Sequence, residues 1–84
     1  MTDSYIALDL ETTGLSPEQD RILEIGAVKV QDGQVRETYE TLLNPGISIS
    51  PRIRELTGIT DEMAAGGKDT RTALEELVAF CGEL

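Results

Sequence analysis

The chain has 84 residues, enough for one small domain with a modest core, and its 39% hydrophobic and 27% charged residues suit a globular rather than a disordered protein. With 16 acidic against 7 basic residues the formal net charge is -9, which excludes a broad basic surface for nucleic acid. There is no histidine and a single cysteine, Cys81, so neither an internal disulfide nor a zinc-ligand set is available, as in a reducing, cytoplasmic setting. No apolar run approaches the roughly 18 residues of a membrane span, and the N-terminus lacks a basic stretch leading into an apolar one. A soluble, cytoplasmic protein with no membrane partner is expected.

The stretch 5–15 opens as a short buried strand in which Ile6, Leu8 and Leu10 alternate with Ala7, Asp9 and Glu11. The period of two puts Asp9 and Glu11 on one face, about 6.5–7 Å apart. At an effective dielectric near 20, two charges at that distance repel by about 2.4 kcal/mol. A divalent cation between them converts that repulsion into attraction, and carboxylate oxygens suit Mg²⁺ or Mn²⁺. Spacing alone equally fits a strand with a solvated outer face. Thr12, Thr13 and Gly14 follow, a turn whose hydroxyls and amides suit a phosphate or sugar. Residues 15–21 read as an exposed polar connection.

Residues 21–30 form a run rich in β-branched residues, expected as a strand covered on both faces, with Gly26 marking close packing. Asp32 and Gly33 are the preferred pair for a two-residue type I′ turn, so the second and third strands should be antiparallel neighbours. In the third, residues 34–43, Val35, Tyr39, Thr41 and Leu43 lie opposite a wet side of Arg36, Thr38 and Glu40. Ser50 and Pro51 open a short helix that Gly58 stops. Thr60 caps a second helical turn whose early acids, Asp61 and Glu62, suit its positive end, and Gly66 and Gly67 break it. From Asp69 a longer helix carries Leu74, Leu77, Val78 and Cys81 as its apolar stripe, widened by Ala73 and Phe80, with Asp69, Thr70 or Thr72 as the cap. Tyr5 and Tyr39 read as packing residues, and Glu24 is assigned no role.

Three ordered stretches carry a family resemblance: Asp9-Leu10-Glu11-Thr12-Thr13-Gly14, then Ile22-Leu23-Glu24-Ile25-Gly26-Ala27-Val28, then Leu56-Thr57-Gly58-Ile59-Thr60-Asp61-Glu62-Met63. Together they resemble the DEDD 3′-to-5′ exonucleases of the proofreading epsilon type of bacterial DNA polymerase III, over nearly all of the chain. The resemblance implies an α/β, ribonuclease H-like exonuclease fold, with residues 1–84 as the N-terminal half of one domain: three antiparallel strands plus helices. It implies a two-metal centre of Mg²⁺ or Mn²⁺, Asp9 bridging both ions and Glu11 holding the one that activates water. It also implies that backbone around Thr12, Thr13 and Gly14, with Leu15, holds the terminal nucleotide while Leu56 and Thr57 line the base pocket. For these last two, plain core and helix-end roles stay open.

The partners implied are a single-stranded nucleic acid 3′ end, DNA before RNA, and polymerase subunits. The family's remaining acids and its histidine or tyrosine base have no counterpart in this sequence. The chain is therefore expected to be inactive alone; and because the family pairs its first strand with one that comes after the long helix, the chain is also expected to self-associate through the edge of residues 5–10 or be marginally stable. A ribonuclease of the same superfamily, or a noncatalytic binding module, are the competing readings.

Overall fold

The computed structural model describes residues 4–14, 16 and 18–82. Its elements are β1 (Tyr5–Thr12), β2 (Ile22–Gln31), β3 (Gln34–Leu42), α1 (Pro51–Thr57), α2 (Asp61–Ala65) and α3 (Thr70–Cys81). The strands form one antiparallel sheet in the order β1-β2-β3. Asp32 and Gly33, at φ 53° and 76°, make the two-residue turn between Gln31 and Gln34, both positive as type I′ requires. The helix caps are local as well. Ser50 accepts from the Ile53 amide and Thr60 from the Met63 amide, while Gly58 at φ 76° closes α1 through a bond to the Arg54 carbonyl. Of the candidates for α3, Asp69 is the cap, bonded by the amide and hydroxyl of Thr72, which hold its carboxyl below the usual range.

The helices lie on a single face of the sheet. Leu23, Ile25 and Ala27 of β2 point into it and are buried; Leu23 meets Ile49, Ile59 and Ala64, and Ile25 meets Leu43 and Ala73. The expectation that β2 is covered on both faces therefore holds for one face only. Glu24 and Val28, on the other, are half-buried. Close packing at Gly26 is not required either, since a Cβ there would meet only the Asp9 carbonyl at 3.9 Å, an ordinary contact.

β1 is not buried as expected: Leu8 is 54% and Leu10 43% exposed. The reason is position, because β1 is a sheet edge and α3 packs over β2 and β3. The apolar stripe of α3 is also turned from its expected setting. Ala73 is buried and Leu77, Phe80 and Cys81 are half-buried, whereas Leu74 and Val78 stay exposed. Tyr39 sets this rotation: its ring lies 5.9 Å from that of Phe80, and its hydroxyl donates to Glu76 at 2.9 Å. Glu76 is in turn paired with Lys68. Among the described residues, no helix is long and apolar enough to cross a membrane.

Among the described residues β1 pairs only with β2, so its other edge offers a row of backbone groups beside Leu8 and Leu10, a template for another strand. The isolated 84-residue chain is expected to associate reversibly in sedimentation equilibrium, and Leu8→Lys to shift it toward monomer by placing a charge on that edge. A wild-type chain that sediments as a clean monomer and melts cooperatively would show that the edge is not sticky.

Candidate active site

The alternation of β1 places Asp9 and Glu11 on the sheet face away from α3, and the register decides what stands beside them. Glu11 lies opposite Glu24, and Asp9 lies opposite Gly26, which is itself opposite Glu40. Residues directly opposite in an antiparallel pair share a face, so four carboxylates, Asp9, Glu11, Glu24 and Glu40, occupy one open surface. None takes part in an ion pair among the described residues. Burial, followed by the charges of Glu40, Glu11 and Asp9, raises the pKa of Glu24 above the ordinary carboxylate value. The sequence alone does not mark Glu24 and Glu40 as site residues. They join the face only through strand register, although the Glu24 position was visible in the second of the three matching stretches.

Carboxylates gathered on one face repel one another, and a cation between them would offset that repulsion. Asp9 is exposed and Glu11 half-buried, and their oxygens fit a hard divalent ion that keeps part of its water shell. Among the described residues no three acidic, cysteine or histidine side chains converge closely enough to hold a metal by themselves. Asp9 and Glu11 are two carboxylates on one face, fewer than such a group needs.

Next to the carboxylates the turn is built more tightly than a simple exposed connection. The Thr13 hydroxyl donates to Asp20 at 2.8 Å and accepts from the Arg21 amide at 2.9 Å, while the Thr13 amide donates to the Arg21 carbonyl. The Asp20 carboxylate also accepts from the Ser16 amide. It fills the space above Gly14, where a Cβ would fall 2.5 Å from its oxygen. Gly14 is therefore demanded by Asp20 within the loop. The Thr12 hydroxyl donates to the Gly14 carbonyl at 2.6 Å. Both threonine hydroxyl protons are thus committed inside the turn, and what remains for a ligand is backbone and oxygen lone pairs.

A cleft of about 630 Å³ runs from this turn to α1. Residues 10–14 form one wall; Arg52, Ile53, Leu56 and Thr57 form the other. Of the expected site residues, Glu11, Thr12, Thr13, Gly14, Leu56 and Thr57 are brought together here. Asp9 lines the adjoining depression with Ala7 and Glu40. Leu15 lies outside the described residues. Leu56 is 71% exposed, which removes the plain core role. Thr57 has its hydroxyl tied to the Ile53 carbonyl and the Ile59 amide, so the helix-end role is real, and the residue nevertheless faces the cleft. Arg52 and Ile53 were not foreseen; a basic residue in the first turn of a helix, where acids are preferred, was the available signal for Arg52.

Comparison with known proteins gives a consistent picture. The family model described as exonuclease (RNase_T) matches residues 6–84. A DNA polymerase III PolC-type protein of Thermotoga petrophila is 48% identical over 77 residues, covering 92% of this chain but 6% of that protein. The DNA polymerase III subunit epsilon of Aquifex aeolicus is 36% identical over 80 residues, covering 95% of this chain and 40% of its own length. Among solved structures, exonuclease X in complex with 5′ overhanging duplex DNA superposes with a TM-score of 0.76 at 29% identity, over 86% of this chain and 42% of that one. A 3′-exonuclease described in 3′-end specific recognition of a histone mRNA stem-loop matches at TM-score 0.80 and 23% identity, over 93% of this chain and 30% of that one, a likeness of fold. The chain thus spans less than half the length of each of these relatives.

Proposed function

Because the chain belongs to the exonuclease family, whose model matches residues 6–84, we propose that it is the N-terminal part of a metal-dependent 3′-to-5′ exonuclease domain that trims or proofreads DNA. The observation that carries the reading is the pair Asp9 and Glu11, on one open face and without an ion-pair partner among the described residues, with Glu11 at the wall of a nucleotide-sized cleft. In this reading Asp9 and Glu11 are catalytic metal ligands, and donors from the rest of the protein complete the centre. Bound Mg²⁺ or Mn²⁺ would polarise the attacking water and offset charge on the departing 3′ oxygen. The backbone around Thr12, Thr13 and Gly14 would hold the terminal sugar and phosphate, with Leu15 beside it. Leu56, exposed and apolar, and Thr57 would bound the base. The substrate would be a single-stranded 3′ end, the partners polymerase subunits, and the location the cytoplasm.

The test uses the full-length protein with a single-stranded oligodeoxynucleotide labelled at its 5′ end. With Mg²⁺ a ladder of progressively shortened labelled products is expected, and chelation with EDTA should abolish it. Immediate release of a labelled mononucleotide would mean the opposite polarity. Preference for the matching RNA would move the substrate to the ribonuclease reading, and binding with no cleavage would favour a noncatalytic module.

A further inference from the structure

We propose that Arg52 positions the substrate strand, its guanidinium engaging a backbone phosphate while the neighbouring Leu56 meets the apolar part of the same or the adjoining nucleotide. This deepens the exonuclease reading and rests on it. Among the described residues Arg52 is the one basic side chain on the cleft walls, in a chain with 16 acidic and 7 basic residues. A nucleic acid approaching Glu11 would otherwise meet only negative charge there. Arg52 is exposed and, among the described residues, makes no ion pair.

Its place in α1 is also one that local helix chemistry disfavours. Ser50 is the N-cap and Pro51 the first helical residue, so Arg52 sits in the first turn, which contains no acid. A cation there opposes the positive end of the helix. α2, by contrast, opens with Asp61 and Glu62, as a helix of no special purpose does. Arg52 and Leu56 are four residues apart and so lie on one side of α1, the side that forms the cleft wall. Arg54, two positions on, is carried about 200° around the helix and does not line the cleft. A flat bidentate cation beside an exposed apolar side chain matches the alternation of phosphate and sugar-base in a single strand.

Steady-state kinetics of the full-length protein on a 5′-labelled oligodeoxythymidine, at saturating Mg²⁺ and across a sodium chloride series, tests the assignment. Arg52→Met should raise KM about tenfold, the scale of one charge-assisted hydrogen bond, with kcat within about twofold of wild type, as loss of uniform binding predicts. The slope of log KM against log salt should fall by about 0.7, one phosphate contact to a single strand. Arg52→Lys should restore the slope and part of the KM, because it keeps the charge and loses the fork. Arg54→Met, the same charge loss on the same helix, should leave both at wild-type values. Removing a cation from the helix start should not lower the melting temperature. Unchanged KM and salt slope in Arg52→Met, an equal effect of Arg54→Met, or a loss confined to kcat would overturn the role of Arg52 alone. A wild-type protein that degrades no nucleic acid would overturn the exonuclease reading, and this inference with it.

Discussion

Asp9→Asn in the full-length protein is expected to reduce Mg²⁺-dependent release of mononucleotides by about 10³-fold or more. A metal centre supplies several kcal/mol of stabilisation to developing charge, and at 1.36 kcal/mol per factor of ten the loss of a ligand charge reaches that scale. The fold should be unaffected or slightly steadier. Asp9 is exposed, stands opposite the bare Gly26 and has no ion-pair partner among the described residues. Its charge contributes to the repulsion that raises the pKa of Glu24, so neutralising it relieves strain on the acidic face. Activity and melting temperature are therefore expected to move independently. Near-normal release by a folded variant would remove Asp9 from the catalytic set, and a collapse of the fold would show that its role is structural.

Gly67→Ala is expected to be the most damaging small substitution for stability. A Cβ at Gly67 would stand 2.7 Å from the Leu43 carbonyl carbon and 2.8 Å from the Leu42 oxygen, both backbone atoms that no rotamer change can move away. The segment has little room to retreat, because the Lys68 amide donates to the Leu42 carbonyl at 3.0 Å and the Asn44 amide to the Lys68 carbonyl at 2.8 Å. Those bonds dock the start of α3 against the end of β3, next to the fully buried Leu43. Overpacking of this kind costs about 1–3 kcal/mol, from a total near 5–15 kcal/mol for an ordinary domain. A fall in melting temperature on the order of 10 °C follows for a domain of this size. Gly66→Ala is the control, since a Cβ there meets only the Met63 carbonyl at 3.7 Å. Equal melting temperatures for the two variants would show that the β3 to α3 junction yields more easily than its hydrogen bonds suggest.

The two variants separate what the acidic face does from what holds it in place. In the proposed reading Asp9 would act on a bound metal ion, from a strand that needs nothing from its side chain. Gly67 acts on no ligand, but it lets the helical layer close over Leu43 and so backs the sheet that presents the carboxylates.

What the sequence determined by itself is what a few neighbouring residues decide. The Asp32-Gly33 turn follows from backbone angles that only such residues adopt readily, the caps at Ser50 and Thr60 from side chains that reach amides three positions on, and the shared face of Asp9 and Glu11 from the pleat. The likeness of three short stretches to the exonuclease family also lies in the sequence alone. Only the tertiary structure decided which surfaces meet. β1 looked buried because its own pattern is apolar, yet burial depends on what lies beyond it, and it stands at the sheet edge. The apolar residues of α3 allow more than one facing, and the contact of Tyr39 with Phe80 and Glu76 selects the one with Leu74 and Val78 outward. Glu24 and Glu40 reach the side of Asp9 and Glu11 through register, and Arg52 reaches the wall opposite Glu11 through the docking of α1. Each of these joins residues far apart in the chain, where the sum of many packing contacts, rather than the preference of any one residue, chooses the arrangement.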